Sequence, residues 1–458
     1  MLRRALLLLA LLASLVPALA AEVPAKDRIV VLVTIDGFPA WTWDDPALPM
    51  PFLQKLAREG AVAKAMTIVN PAITWPNHTT LVTGVTPARH GVLFNGMMVR
   101  QGPTAPLKLE PWKNKNDMVR VPTVYDLAFK AGLKTAHVDW VPTTNAGTFH
   151  FEFGERPNAA NPVEREMLAA GLINATELKE FNQRNPPWRD VYWTHAGVHI
   201  VKQHKPNLLL FHLLNTDAIN HRSGPGTWAS MSAFAFADTC LRELFDAVQA
   251  AGFVDKATFV ITTDHGFKAA RRIIRPNVAL RQVGLLRVQG PTITTCDAVA
   301  NTLGGSAMIY VPDKSKRAAL TPKLKEIIGK LEGVERIFEP AEYASLGLPM
   351  PEQNDQMADL FVVAKDGYAF THYPTGDEAV TDVTPEVYPG HHGYLASDPK
   401  LNGMFVAWGH GVKRGAQLGE IRNVDVAPTV AALLGLKMEN VEGRVLMEAL
   451  RRNWFRSP

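Results

Sequence analysis

The sequence predicts an α/β fold, with a doubly wound, mostly parallel sheet flanked by helices and an inserted smaller subdomain. Three observations predict it. Short runs of Val, Ile, Leu and Phe show no polar alternation and end abruptly in polar residues, as strands buried on both faces do. Helical patterns lie between those runs. Three of the runs deliver an Asp just past their ends, the edge where functional groups gather in open α/β sheets.

The elements follow in order. Arg3 and Arg4 precede an apolar run, Ala5–Ala20, that closes in Ala18-Leu19-Ala20. This pattern predicts residues 1–20 as a secretory signal peptide cut after Ala20, and hence a periplasmic or secreted protein. Pro17 interrupts the run, which falls short of the roughly 20 residues that span a bilayer. The first buried strand is 28–35 (RIVVLVTI), ending in Asp36-Gly37, and a helix follows at Pro51–Glu59. In Asn70–Gly84 (NPAITWPNHTTLVTG), Thr74 stands in the N-cap position of a helix, with Pro76 in its first turn. A helix start offers free N–H groups and the positive end of its dipole to a phosphate oxygen. Thr74 is therefore read either as a structural cap or, beside a metal, as a nucleophile.

A helix is predicted at Thr123–Ala131. Phe149, Phe151 and Phe153 alternate, which favours a strand with one buried face over one wall of a binding slot. The strand 207–213 (NLLLFHL) leads into Asn215-Thr216-Asp217 and His221, and a helix occupies 229–251. The strand Ala257–Thr262 ends in Asp264-His265-Gly266. Lys268, Arg271, Arg272, Arg275, Arg281 and Arg287 then follow without an acidic residue. That run reads first as a solvated helix face and second as an attractor for an anionic substrate. The pattern becomes irregular and Pro-rich through about 268–385, where the insertion is placed. Gly390-His391-His392-Gly393 follows with no strand of its own, then a strand at 404–408 and a helix at 426–434.

Length alone would allow two or three domains, but no repeat, low-complexity tract or Ser/Gly-rich linker divides the chain, which is read as one large domain over 21–458. With 47% hydrophobic and 20% charged residues in 458, the chain is globular, neither disordered nor collagen-like. Without Arg3 and Arg4, the 48 basic residues become 46 against 44 acidic ones. That balance leaves no footprint for duplex nucleic acid or a membrane surface. No later segment predicts stable membrane insertion, and no pattern specifies an oligomer. Cys240 and Cys296 form either one disulfide or two buried thiols, and neither has metal or redox spacing.

The chemistry gathers in Asp36, Asp217, His221, Asp264, His265 and one of His391 or His392. Six Asp and His ligands suffice for two zinc sites of three protein ligands each. Leaving such a cluster at one sheet edge without a cation would be costly.

The segments VTIDGF, TWPNHTTLVTGVTPARHGV, NTDAINH, TTDHGF and GHHGY, in this order over residues 33–394, resemble the alkaline phosphatase superfamily. Within it, they resemble the nucleotide pyrophosphatase/phosphodiesterase family. NVDVAPTVAALLGL, 423–436, resembles the helix that often ends the superfamily's domain. The resemblance implies an alkaline-phosphatase-like fold and two Zn2+, one held by Asp217, His221 and His392, the other by Asp36, Asp264 and His265 with the Thr74 hydroxyl. It favours His392 over His391 because the family's ligand precedes Gly-Tyr, here Gly393-Tyr394. It places a phosphoryl oxygen on Asn95 and a nucleobase against Trp75. The implied activity is hydrolysis of a small-molecule phosphodiester or nucleotide through a phosphothreonine. A phosphomonoesterase on the same fold, or a metal-binding protein without catalysis, are the alternatives. The chain departs from the family at Asp139-Trp140-Val141-Pro142-Thr143, where nucleotide-binding members usually carry Trp-Pro-Gly.

Overall fold

The structure, a computed structural model, describes residues 23–384 and 387–451. The signal peptide predicted at 1–20 lies outside the described residues.

Within them a central sheet has eight strands: β1 Ile29–Ile35, β2 Ala61–Thr67, β3 Thr135–Val138, β4 Phe151–Phe153, β5 Leu208–Leu213, β6 Ala257–Thr262, β7 Phe405–Gly409 and β8 Ala416–Arg422. Their order is β8-β2-β7-β6-β1-β5-β3-β4. Side chains alternate between two cores. Val31, Val33, Leu209, Phe211, Phe259 and Ile261 enter one, and Val30, Leu32, Leu208, Leu210 and Val260 enter the other. Both faces are buried, so the strand runs lack polar alternation. Helices α1 Pro51–Glu59, α4 Pro186–His204 and α6 Trp228–Ala250 cover the first face; α2 Thr74–Thr83, α3 Val124–Lys130 and α7 Val426–Leu433 contribute to the second. Thr123 caps α3 in a capping box with Asp126.

Several expectations are refined. The 404–408 run forms β7, antiparallel to both β2 and β6, while β1, β3, β4, β5 and β6 run parallel. An apolar run records burial and carries no direction. Gly390–His391 does form a strand, pairing with Lys268–Ala269. The basic run is no continuous helix face. It forms the short strands Lys268–Ala269 and Arg272–Ile274 and the helix Pro276–Gln282. Acids distant in sequence pair with part of it: Lys268 with Asp366 at 2.7 Å and Asp398 at 2.6 Å, and Arg272 with Glu332 and Asp382. Phe153 is buried in the edge strand β4, and Phe149 packs against Tyr125 on the other side. The reading as a strand with one buried face holds for Phe151 and Phe153, while Phe149 precedes the strand and packs against the opposite core.

A second, antiparallel sheet of four strands lies within 299–364, ordered Val299–Thr302, Ser306–Tyr310, Leu360–Ala364, Val334–Phe338, beside the helix Arg317–Gly329. It has its own core. Cys296 sits there and Cys240 in the core under α6; both are free, buried thiols. No helix of the described residues is long and apolar enough to cross a membrane.

Candidate active site

The carboxyl ends of the parallel strands carry the site. Asp36 directly follows β1, and Asp264 and His265 lie just past β6. Asp217 and His221 lie one turn apart on α5, Asn215–Ser223, which follows β5. Its start is held by buried Asp190, whose carboxylate accepts the Leu214 and Asn215 N–H groups, each at 3.0 Å. Gly390, beside the His391-His392 pair, packs against the Asn220 carbonyl oxygen on α5.

Two groups converge. Asp36, Asp264 and His265 form one, all buried; Asp217, His221 and His392 form the other. His391 joins neither. In the first, His265 Nε2 lies 3.4 Å from Asp36 Oδ1 and 3.3 Å from Asp264 Oδ2. In the second, Asp217 Oδ1 lies 3.4 Å from His221 Nε2 and 3.7 Å from His392 Nε2. These gaps exceed ordinary hydrogen bonds. Three oxygens, Asp36 Oδ1, Asp217 Oδ1 and Asp264 Oδ2, are buried without a hydrogen-bond partner.

The remaining atoms of these side chains are occupied. Asp264 Oδ1 accepts the Gly37 and His265 N–H groups at 3.1 and 3.0 Å. His221 Nδ1 meets the Gly390 carbonyl at 2.9 Å, His392 Nδ1 meets that of Ala72 at 3.1 Å, and His265 Nδ1 lies 3.3 Å from that of Gly266. A Nδ1–H donated to a carbonyl leaves Nε2 as the lone-pair nitrogen, the tautomer a metal ligand needs. The donor set of Asp and neutral His suits zinc. Burial, then the nearby Asp264 and Asp217 carboxylates, hold Asp36 well above the usual carboxylate range. A cation relieves that repulsion, so the residues fit a metal.

Thr74 sits beside the first group, with Oγ1 3.5 Å from His265 Nε2. It is the first residue of α2 and the cap position belongs to Ile73, one residue earlier than predicted. Its hydroxyl makes no cap bond. Asn95 takes that part instead, its Oδ1 accepting the Trp75 N–H at 3.0 Å. Trp75 is 7% exposed and packs with Val92, Met118, Val119 and Val141. It still lines a cleft of about 290 Å³ together with Trp112, Pro142, Asn145, Glu155 and Arg156. The Phe residues at 149, 151 and 153 do not line it.

Sequence reasoning missed three supports and one wall. His212 Nε2 meets Asp36 Oδ2 at 3.1 Å, and its Nδ1 lies 3.0 Å from Asp139 Oδ2, so a buried His bridges a site carboxylate to a second one. The signal was a lone His inside the apolar run of β5. His78, four residues after Thr74 on α2, meets the Thr74 carbonyl at 3.0 Å and the Thr34 hydroxyl at 2.9 Å. Burial, then the neighbouring His212, pulls it down to about 3, so it stays neutral. Trp112, over which the Arg156 guanidinium stacks at 4.4 Å, had no local signal.

Comparison with known proteins supplies context for this geometry. The family model of type I phosphodiesterase / nucleotide pyrophosphatase matches residues 30–395. Rat ectonucleotide pyrophosphatase/phosphodiesterase family member 7 is 23% identical over 433 residues, covering 92% of this chain and 87% of the relative. Venom phosphodiesterase from Macrovipera lebetinus is 25% identical over 255 residues, 54% of this chain and 27% of that longer protein. Among solved structures, murine ectonucleotide pyrophosphatase/phosphodiesterase 5, as an inactive variant in complex with AMP, superposes with a TM-score of 0.69 at 17% identity. The match covers 93% of this chain and all of that one.

Proposed function

The chain belongs to the type I phosphodiesterase / nucleotide pyrophosphatase family of the alkaline phosphatase superfamily, and from that premise we propose that it is an exported, zinc-dependent phosphodiesterase working through a phosphothreonine. The candidate ligands come from residues 36 to 392, which supports one catalytic domain over 21–458 with the four-stranded sheet as part of its insertion. Asp36, Asp264 and His265 would hold one zinc ion and Asp217, His221 and His392 the other. Bound zinc acts as a Lewis acid, lowering the pKa of hydroxyl groups and water and offsetting phosphate charge.

The chain's own residues do the rest. Thr74, pinned at the first turn of α2, attacks phosphorus in line, and the bond to the opposite oxygen breaks. The phosphothreonine is then hydrolysed. The Thr74 backbone N–H and the amide NH2 of Asn95 face the charge that builds on a non-bridging oxygen. His212 and Asp139 hold Asp36 in orientation, and His78 holds the Thr74 backbone. The Trp75–Trp112 cleft takes the arm of the diester that stays on phosphorus, a nucleoside being the model case.

One observation carries the reading: three histidines each turn Nδ1 to a backbone carbonyl and Nε2 to a carboxylate oxygen that has no other partner. Thr74→Ala tests it. The variant should keep two zinc equivalents and lose hydrolysis of p-nitrophenyl thymidine monophosphate; parental rates would remove Thr74 as nucleophile. A higher kcat/KM on p-nitrophenyl phosphate would turn the assignment to a phosphomonoesterase.

A further inference from the structure

A second cleft, of about 450 Å³, opens on the side of Asp217, His221 and His392. It shares no lining residue with the Trp75–Trp112 cleft. The two meet at the nucleophile's neighbours, Ile73 lining one and Trp75 the other. A phosphodiester has two organic arms, and in an in-line displacement the arm opposite the attacking oxygen departs. Thr74 Oγ1 lies against His265 of the first group. The departing oxygen therefore faces the second group, whose His221 and His392 line this cleft.

The lining bears on what departs. Phe94, Leu109, Leu303, Phe370, Tyr373 and Tyr388 line it beside Asn95, two threonines and four histidines, and no Lys, Arg, Asp or Glu does. Leu109, Tyr373 and Tyr388 are 44%, 45% and 51% exposed, a concentration of open apolar surface beside the site. The basic run 268–287 sends no residue there. A departing pyrophosphate carries several negative charges and is recognised by Arg or Lys forks; an aryl or alkyl alcohol is recognised by apolar and aromatic walls.

Resting on the phosphodiesterase reading, the geometry points to a leaving-group subsite for an uncharged apolar alcohol. The enzyme then acts on diesters with a hydrophobic leaving arm in preference to nucleoside triphosphates. Water adds across the P–O bond, releasing the alcohol from this cleft and leaving the phosphate monoester in the other.

The test compares thymidine 5′-monophosphate 2-naphthyl ester with thymidine 5′-triphosphate. The parent should show higher kcat/KM on the ester. Tyr373→Ala and Tyr388→Ala, both at exposed positions, should each lower the ester value by up to about tenfold, the range of an aromatic contact. The triphosphate value should change less than twofold. A second readout needs no turnover: a non-hydrolysable 2-naphthyl phosphonate, followed by naphthyl fluorescence, should bind either variant several-fold more weakly. Preference for the triphosphate, or equal losses on both substrates, overturns the subsite and leaves the phosphodiesterase standing. If neither substrate turns over, the phosphodiesterase reading falls, and unchanged phosphonate binding in both variants overturns the subsite by itself.

Discussion

Replacing Asn95 by Ala removes a helix cap that the structure shows and a phosphoryl donor that the proposed mechanism places on another atom of the same side chain. Oδ1 accepts the Trp75 N–H at 3.0 Å, so it caps the first turn of the helix that carries Thr74. The residue is exposed and lines the leaving-group cleft, which leaves its NH2 group available to a phosphoryl oxygen. Losing a cap costs about 0.5–2 kcal/mol of stability. Losing a donor aimed at developing charge costs about 100–1,000-fold in kcat. Asn95→Asp separates them. Its carboxylate still accepts the Trp75 N–H, so stability stays within about 0.5 kcal/mol of the parent, while a negative charge replaces the donor and the rate falls at least as far as in the Ala variant. Steady-state kinetics on p-nitrophenyl thymidine monophosphate give the rate, and urea unfolding gives the stability. If Asn95→Ala keeps kcat within about threefold of the parent, Asn95 is a cap and nothing more.

Other outcomes are equally concrete. His212→Leu should lower metal affinity by about 10–100-fold, because the support on Asp36 Oδ2 is lost; competition with a chelating dye measures it, and parental affinity would deny His212 that role. Gly393 has φ of +80°, and a Cβ there would overlap the Leu303 carbonyl oxygen. Gly393→Ala should therefore lower Tm and displace His392, visible as a lost metal equivalent, whereas full occupancy with an unchanged Tm would contradict the packing. His90 is pulled down to about 3 by burial; its Nδ1 accepts the Val92 N–H at 3.1 Å and its Nε2 meets the Thr80 hydroxyl at 3.0 Å. Its folded pKa lies below the unfolded value, so its contribution is complete above about pH 6.5 and is lost by about 1.4 kcal/mol per pH unit as pH falls toward about 3. His90→Gln should flatten the stability profile between pH 6 and 4 by about one proton; an unchanged slope in urea unfolding would show that His90 is already charged.

The legible features are the ones a short window contains. Ala257–Thr262 and Pro51–Glu59 form with the predicted bounds, because burial on both faces and helical periodicity are local patterns. The positions of Asp36, Asp217 and Asp264 past their strands were equally plain. Their sorting into two groups of three came from the resemblance to a family, since spacing along the chain does not say which Asp meets which His.

What the sequence alone determined was the layered α/β plan and the identity of the acids, histidines and threonine at one edge of it. These follow from hydrophobic period and polar punctuation, which act over a few residues. Tertiary structure decided the antiparallel course of β7, the exclusion of His391, the shift of Thr74 from cap to first helical residue and the separation of Cys240 from Cys296. It also brought His212 to Asp36 across 176 residues and Asp264 to Gly37 across 227. Contacts over such separations depend on how whole layers pack, and a buried polar atom finds its partner only when they do.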